Sequence, residues 1–235
     1  MSTIRGFDIY GTLIDPGGIT VKLSEWMSDD LATGFSQCWR NKQLEYSFRR
    51  GLMRDYENFA ICTRHALDHT DAIFKIRLSE DAKQSLMQCY QVLPAYADVP
   101  EALAAIKAAG FRLYGFSNGT TKAVTALLEH GGIAEYFDGV ISVDEIKSYK
   151  PDPAVYQHFI DGTGGDKSNS WLVSANPFDV LGAINAGISA VWLRRSADAV
   201  FDPWGIEPTL VVSTLVEIVE RVEAVPVKSS APPDL

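Results

Sequence analysis

From residue 94 onward, short apolar runs alternate with stretches whose apolar positions recur every three or four residues. That is the pattern of strands and helices taking turns in a parallel sheet. The runs "FRLYGF" (111–116), "GVISV" (139–143), "SWLVS" (170–174), "SAVWL" (189–193) and "TLVVS" (209–213) are the predicted strands. One predicted helix opens with Asp98 as cap, Pro100 in its first turn and Glu101 completing a capping box, and Gly110 stops it. Others cover "AVTALLEH" before Gly131 and Gly132, and residues 153–161, 179–186 and 213–223. A first, short strand is confined to residues 4–9. Between it and the rest, Phe35, Trp39, Leu44, Phe48 and Leu52 recur at helical spacing without β-branched runs, so residues 16–93 read as an all-helical insert. The predicted fold is α/β, a doubly wound parallel sheet formed by residues 1–15 and 94–225. The insert leaves the sheet after its first strand and returns to it, which lays a helical cap over the carboxyl edge where such sheets bind ligands. The Pro/Ser-rich end, 226–235, reads as a disordered tail.

Composition narrows the functional classes. A chain of 235 residues with 46% hydrophobic content buries one large core, or one core and a small lobe. A net charge of −9 argues against nucleic acid, whose phosphates are bound by clustered Lys and Arg. No apolar run approaches the ~20 residues that span a bilayer, and the N-terminus lacks a basic-then-apolar leader, so a cytoplasmic protein with no membrane partner is expected. Cys38, Cys62 and Cys89 are odd in number and widely spaced, which favours neither a disulfide framework nor zinc. The four histidines, 65, 69, 130 and 158, show no metal spacing.

Four strand ends carry polar residues: Asp8, the pair Ser117 and Asn118, Lys150, and the group Ser174, Asn176 and Asp179. Singly, each has an ordinary explanation as a turn residue, a helix cap or a surface lysine. Together they put two carboxylates, a lysine and hydroxyls on one edge of one sheet beneath a lid, as expected of a nucleophile and its stabilising groups.

The motifs "FDIYGTL", "FSNG", "KPDPAVY" and "SANPFD" resemble the four motifs of the haloacid dehalogenase-like superfamily, and the insert's "WRNKQLEYSFRRGLM" resembles the first cap helices of the type II L-2-haloacid dehalogenases. The resemblance runs over nearly the whole chain and implies a Rossmann-like core. It gives Tyr10 a meaning. Phosphatases of the superfamily place an acid two residues after the nucleophile to protonate an alkoxide; halide needs no proton. In the fourth motif Ser174 stands where phosphatases usually carry the first of adjacent acidic residues, which disfavours Mg²⁺, so no metal and no cofactor are expected. Lys150 and Arg40 then balance the charge near Asp8.

By this resemblance Asp8 attacks C2 of a short 2-haloacid in line with the halide, leaving an ester on the enzyme. Water then attacks the aspartyl carbon, with Asp179 activating it, Asn176 orienting it, and Thr12 and Lys150 contacting the Asp8 carboxyl group. The product is a 2-hydroxy acid of inverted configuration. Ser117 and backbone N–H groups near Asn118 would hold the substrate carboxylate, and Arg40 and Asn118 the halide. Tyr10, Leu44, Phe59 and Phe178 supply apolar walls, and Tyr156 joins the network near the lysine. Two positions depart from the family pattern, Asn41 after the arginine and Phe178 before Asp179, and both narrow a pocket wall. Relatives are commonly homodimers. Three other readings remain open: an Mg²⁺-dependent phosphatase, hydrolysis of a strained C–N bond, and an inactive partner-binding protein.

Overall fold

The computed structural model describes residues 3–222. Strand β1 (Ile4–Phe7) is followed by helices α1 (Gly17–Leu23), α2 (Asp29–Met53), α3 (Phe59–Phe74) and α4 (Glu80–Cys89), after which α5 (Val99–Ala108) returns the chain to the sheet. The remainder alternates through β2 (Arg112–Ser117), α6 (Thr121–His130), β3 (Gly139–Ser142), α7 (Pro153–Thr163), β4 (Ser170–Ser174) and α8 (Pro177–Asn185). It ends with β5 (Ser189–Leu193), β6 (Leu210–Val212) and α9 (Glu217–Val222). The predicted tail, 226–235, lies outside the described residues, as do residues 223–225.

Every strand pairing is parallel, in the order β3-β2-β1-β4-β5-β6. One face packs Phe7, Leu113, Val173 and Val191 beneath α5 and α6; the other packs Tyr114, Phe116 and Leu172 beneath α7 and α8. Coverage on both faces is why these strands read as continuous apolar runs rather than alternating ones. The strand order reverses at β1, which has β2 on one side and β4 on the other, so the crevice for a ligand opens above its carboxyl end.

The first strand ends two residues earlier than its apolar run. Asp8 N–H still reaches Val173 O at 3.0 Å, but then Leu13 and Ile14 both donate to Ile9 O, curling the chain into a tight loop. Gly11 enters that loop at φ +81°, a backbone region that disfavours a side chain. Asp98 also departs from expectation: it precedes α5 without a side-chain capping bond, because both its carboxylate oxygens accept from Arg195 Nη1 at 2.7 and 2.9 Å. Helix α9 begins at Glu217 rather than 213, since the Glu217 carboxylate ties the N–H groups of Ser213 and Thr214 into a turn.

The buried stripe of α2 differs from the predicted one. It runs Ala32, Phe35, Trp39, Gln43 and Ser47, whereas Leu52 is 87% exposed. Four-residue steps drift little around a helix, so the stripe that holds Phe35 and Trp39 continues through polar positions. Leu44 and Phe48 lie about 100° further round and turn toward the sheet edge. There Phe48 meets Phe178 with ring centroids 5.1 Å apart. A second contact joins the α2–α3 turn to the loop after β3: Tyr56 Oη donates to Asp144 Oδ1 at 2.6 Å, and Tyr149 Oη donates to Glu57 O. The rings of Tyr56 and Tyr149 stack at 5.1 Å.

Candidate active site

Ten residues enclose a small cavity above the carboxyl end of β1: Asp8, Tyr10, Arg40, Leu44, Phe59, Ser117, Asn118, Lys150, Asn176 and Phe178. All ten were singled out from sequence, and they come from the loop after β1, the end of β2, the loop before α7, the first turn of α8 with the loop before it, and helices α2 and α3. The cavity volume is ≈ 20 Å³, room for a single water.

Asp8 is the anionic centre. Its Oδ2 accepts from Thr12 Oγ1 at 2.8 Å and from Asn176 Nδ2 at 2.7 Å, and its Oδ1 accepts from Lys150 Nζ at 3.2 Å. The carboxylate is therefore held at both oxygens, and Oδ1, with a single donor, is the less engaged of the two. Thr12 is itself fully buried and braced: its Oγ1 accepts from Ala175 N–H at 2.9 Å, and its carbonyl accepts from Arg195 Nη2 at 2.6 Å. Arg195 lies over the Tyr96 ring at 4.2 Å and is neutralised by Asp98. Sequence reasoning missed this brace, because Asp98 and Arg195 are 97 positions apart and Asp98 sits where a helix cap belongs.

Lys150 is 1% exposed and fully engaged, with Nζ donating to Asp8 Oδ1, to Phe116 O at 2.8 Å and to Asp179 Oδ2 at 2.8 Å. Its ammonium also sits 4.1 Å from the Phe116 ring centroid. One cation thus bridges two carboxylates. Behind it, Asp179 is fully buried, and Tyr156 Oη donates to its Oδ1 at 2.9 Å. Burial pushes the Asp179 carboxyl above its ordinary value, and the Lys150 ammonium opposes that shift. Burial, with the charge of Asp179 added, raises the Tyr156 hydroxyl well above its usual range, so it serves as a donor. The approach of α8 to α7 that allows this contact depends on Gly182, where a Cβ would collide with Tyr156 Oη.

Asp179 does not line the cavity. Both of its oxygens are spoken for, one by Lys150 and one by Tyr156, so it meets the reacting groups through the lysine rather than directly. Ser174, Thr12 and Tyr156 likewise stand behind the wall. Ser174 Oγ accepts from Asn176 N–H at 3.1 Å and shapes the loop that aims the Asn176 amide at Asp8. Asn41 is a correction: it is exposed, and its Oδ1 accepts from Gln37 Nε2 at 2.9 Å. One position past Arg40 rotates a side chain by about 100°, away from the cavity.

On the β2 side, Ser117 Oγ accepts from Gly119 N–H at 3.1 Å, which engages a backbone donor that sequence reasoning reserved for a ligand. The hydroxyl hydrogen of Ser117 remains for the cavity. Asn118 Oδ1 accepts from Lys150 N–H at 3.0 Å, which turns its Nδ2 end the other way. Tyr10 closes the opposite wall with its ring 6.0 Å from that of Tyr90, and burial raises its hydroxyl to about 12, with Arg40 opposing. Arg40 faces the cavity from α2, and its Nη1 donates to Gln43 Oε1 at 2.7 Å. Gln43 is a second residue that sequence reasoning missed; the available signal was its position four after Trp39 on the buried stripe. Among the described residues no three of His, Cys, Asp and Glu converge as metal ligands, and no helix is long and apolar enough to cross a membrane.

A haloacid dehalogenase-like hydrolase family model matches residues 6–187. The (S)-2-haloacid dehalogenase of Pseudomonas sp. strain YL is 34% identical over 95% of this chain and 96% of its own length. The (S)-2-haloacid dehalogenase 1 of Pseudomonas sp. strain CBS-3 is 40% identical over 83% of this chain and 86% of its own. Among solved structures, the L-2-haloacid dehalogenase from Xanthobacter autotrophicus with chloropropionic acid covalently bound superposes with a TM-score of 0.88 at 29% identity, covering 96% of this chain and 100% of that one.

Proposed function

The chain belongs to the haloacid dehalogenase-like hydrolases, and from that premise we propose that it is an (S)-2-haloacid dehalogenase that turns short L-2-haloacids into D-2-hydroxy acids and halide. The observation that carries the reading is the setting of Asp8. It is a carboxylate held by Lys150, Asn176 and Thr12, with a tyrosine in place of an acid two residues on and an arginine facing it from the cap.

In the first step Asp8 Oδ1, which has a single donor at 3.2 Å, supplies the electron pair that displaces halide from C2. Oδ2, with donors at 2.8 and 2.7 Å, stays the ester carbonyl oxygen. When water adds to the aspartyl carbon, that oxygen becomes the oxyanion, and Thr12 and Asn176 already point at it. The bond from the aspartyl carbon to Oδ1 then breaks, and Oδ1 leaves as the product hydroxyl with a proton from Lys150. The attacking water gives up two protons, one restoring the ammonium and one released. Asp179 takes part by holding Lys150, and its raised carboxyl suits it to share the lysine's proton while Asp8 is esterified. Arg40 and the Nδ2 end of Asn118 receive the halide, and Ser117 binds the substrate carboxylate. Leu44, Phe59, Phe178 and Tyr10 keep other water from C2.

Lys150 occupies with one positive charge the space between Asp8 and Asp179, which supports chemistry without a divalent ion. The test is chloride release from each enantiomer of 2-chloropropionate in the presence of EDTA, comparing wild type with Asp8→Asn. Turnover of the L form alone, abolished in the variant, is the expected result. Loss of activity with EDTA, or turnover of phosphate esters instead, would refute it. A single turnover in ¹⁸O water should label Asp8 before product. We further propose a cytoplasmic homodimer; exposed Val21, Leu52, Met53 and Ile73 on the helical insert support pairing there. Light scattering of the purified protein measures that.

A further inference from the structure

We propose that Gln43 is a positioning residue for the leaving group: a neutral amide that aims the Arg40 guanidinium at the departing halide without cancelling its charge. The inference rests on the dehalogenase reading above and concerns a residue outside the catalytic set.

Gln43 is 1% exposed and its amide orientation is fixed by logic internal to the network. Thr63 Oγ1 spends its one hydrogen on Phe59 O at 2.8 Å, so toward Gln43 it can only accept. Gln43 Nε2 donates to it at 2.6 Å, which leaves Gln43 Oε1 as the end that accepts from Arg40 Nη1 at 2.7 Å. Trp39 Nε1 donates to Thr63 O at 2.9 Å and ties the same point of α3 to α2. The amide is thus anchored at one end and holds the arginine at the other. Phe59, whose carbonyl terminates the chain of bonds, is itself a wall of the cavity.

The choice of an amide has electrostatic content. Arg49, Arg50 and Arg64, on the same two helices, each pair with a carboxylate, to Glu45, to Asp55, and to Asp68 with Glu80. Arg40 makes no such pair among the described residues. A carboxylate at position 43 would orient the guanidinium equally well and would occupy its field at the same time. With glutamine, the orientation is retained and the positive charge stays available to an anion in the cavity. A poorer leaving group draws more on that charge, so the effect should be larger for chloride than for bromide.

The test uses Gln43→Glu, Gln43→Met as a neutral variant lacking the acceptor, and Thr63→Val, which frees the anchor. Bromide binding to each folded protein is followed by calorimetric titration, and kcat/KM is measured for L-2-chloropropionate and L-2-bromopropionate. Bromide affinity should fall about 10- to 100-fold in Gln43→Glu and less in the other two. The chloride-to-bromide ratio of kcat/KM should fall with it. A purely structural role would lower the melting temperature and leave both readouts as in wild type. Bromide affinity and leaving-group ratio unchanged in folded Gln43→Glu and Gln43→Met, or a wild type that binds no bromide, would overturn the proposal. Failure of wild type to release halide from either acid would instead strike the dehalogenase reading, and the two failures are separable because bromide binding needs no turnover.

Discussion

Replacing Lys150 with Met isolates what the bridging ammonium does for the fold. The variant keeps the volume of the side chain and removes the charge, leaving Asp179, fully buried, without its cation. At 2.8 Å the attraction between Lys150 and Asp179 is about 6 kcal/mol for an effective dielectric of ~20. The penalty for desolvating both groups offsets part of it, but breaking a buried pair on one side costs about 3–5 kcal/mol because the remaining charge is uncompensated. For a chain of this length that is roughly 6–20 °C in Tm. The loss should depend on pH with a definite sign. The Asp179 carboxyl already titrates above its ordinary value, and the variant moves it further up. A carboxyl raised in the folded state favours folding at low pH and loses that contribution as pH rises through the folded value. Lys150→Met should therefore lie closest to wild type in mild acid and furthest from it near neutrality. Adding Asp179→Asn should recover much of the loss. Urea unfolding of the four proteins of this cycle at two pH values measures the coupling. A single variant within about 1 kcal/mol of wild type near neutrality, or a double variant whose loss is the sum of the singles, would refute the account of Lys150 as the counter-ion of a buried carboxylate.

Three further outcomes follow from the same geometry. Tyr10→Phe should keep kcat/KM within about threefold and leave the alkaline limb of its pH profile unmoved, since burial holds the hydroxyl near 12 and it transfers no proton; steady-state kinetics over pH 6–10 checks this. Arg195→Met should lower kcat about tenfold or more by releasing the Thr12 carbonyl that braces the Asp8 loop; Asp98→Asn, which keeps the arginine, should do less. Tyr56→Phe should cost about 1 kcal/mol by freeing Asp144 from its bond across to the helical segment, and hydrogen exchange should show faster opening of the α2–α3 turn.

The strands were legible because a parallel sheet buried on both faces has no alternation to misread, and "SWLVS" and "SAVWL" coincide with β4 and β5 to the residue. Asp8, Ser117, Lys150 and Asn176 were legible as a group because together they put polar residues at the ends of strands on one sheet edge, whereas Arg40, Leu44 and Phe59, on helices α2 and α3, were reached only through the family resemblance. Residues whose role depends on a helix face were harder. Asn41 is next to Arg40 in sequence and turned away from it in space, while Gln43, three positions on, touches it. The stripe on α2 was drawn through Leu44, Phe48 and Leu52 because apolarity was taken as a proxy for burial, and Gln43 and Ser47 are buried through satisfied hydrogen bonds instead. Longer-range partners such as Asp98 with Arg195, or Tyr56 with Asp144, join residues from separate elements and leave no local trace.

The hollow over Asp8 has a further consequence. Its volume of ≈ 20 Å³ is the room of one water, and its walls come from the sheet edge and from helices that meet that edge at Phe48 on Phe178, at the Tyr56 and Tyr149 bonds and at Cys62 on Tyr149. Admitting an acid larger than a water then calls for those walls to part, so turnover should slow as the medium is thickened with a viscogen, even though no bond to the substrate is made or broken in that motion.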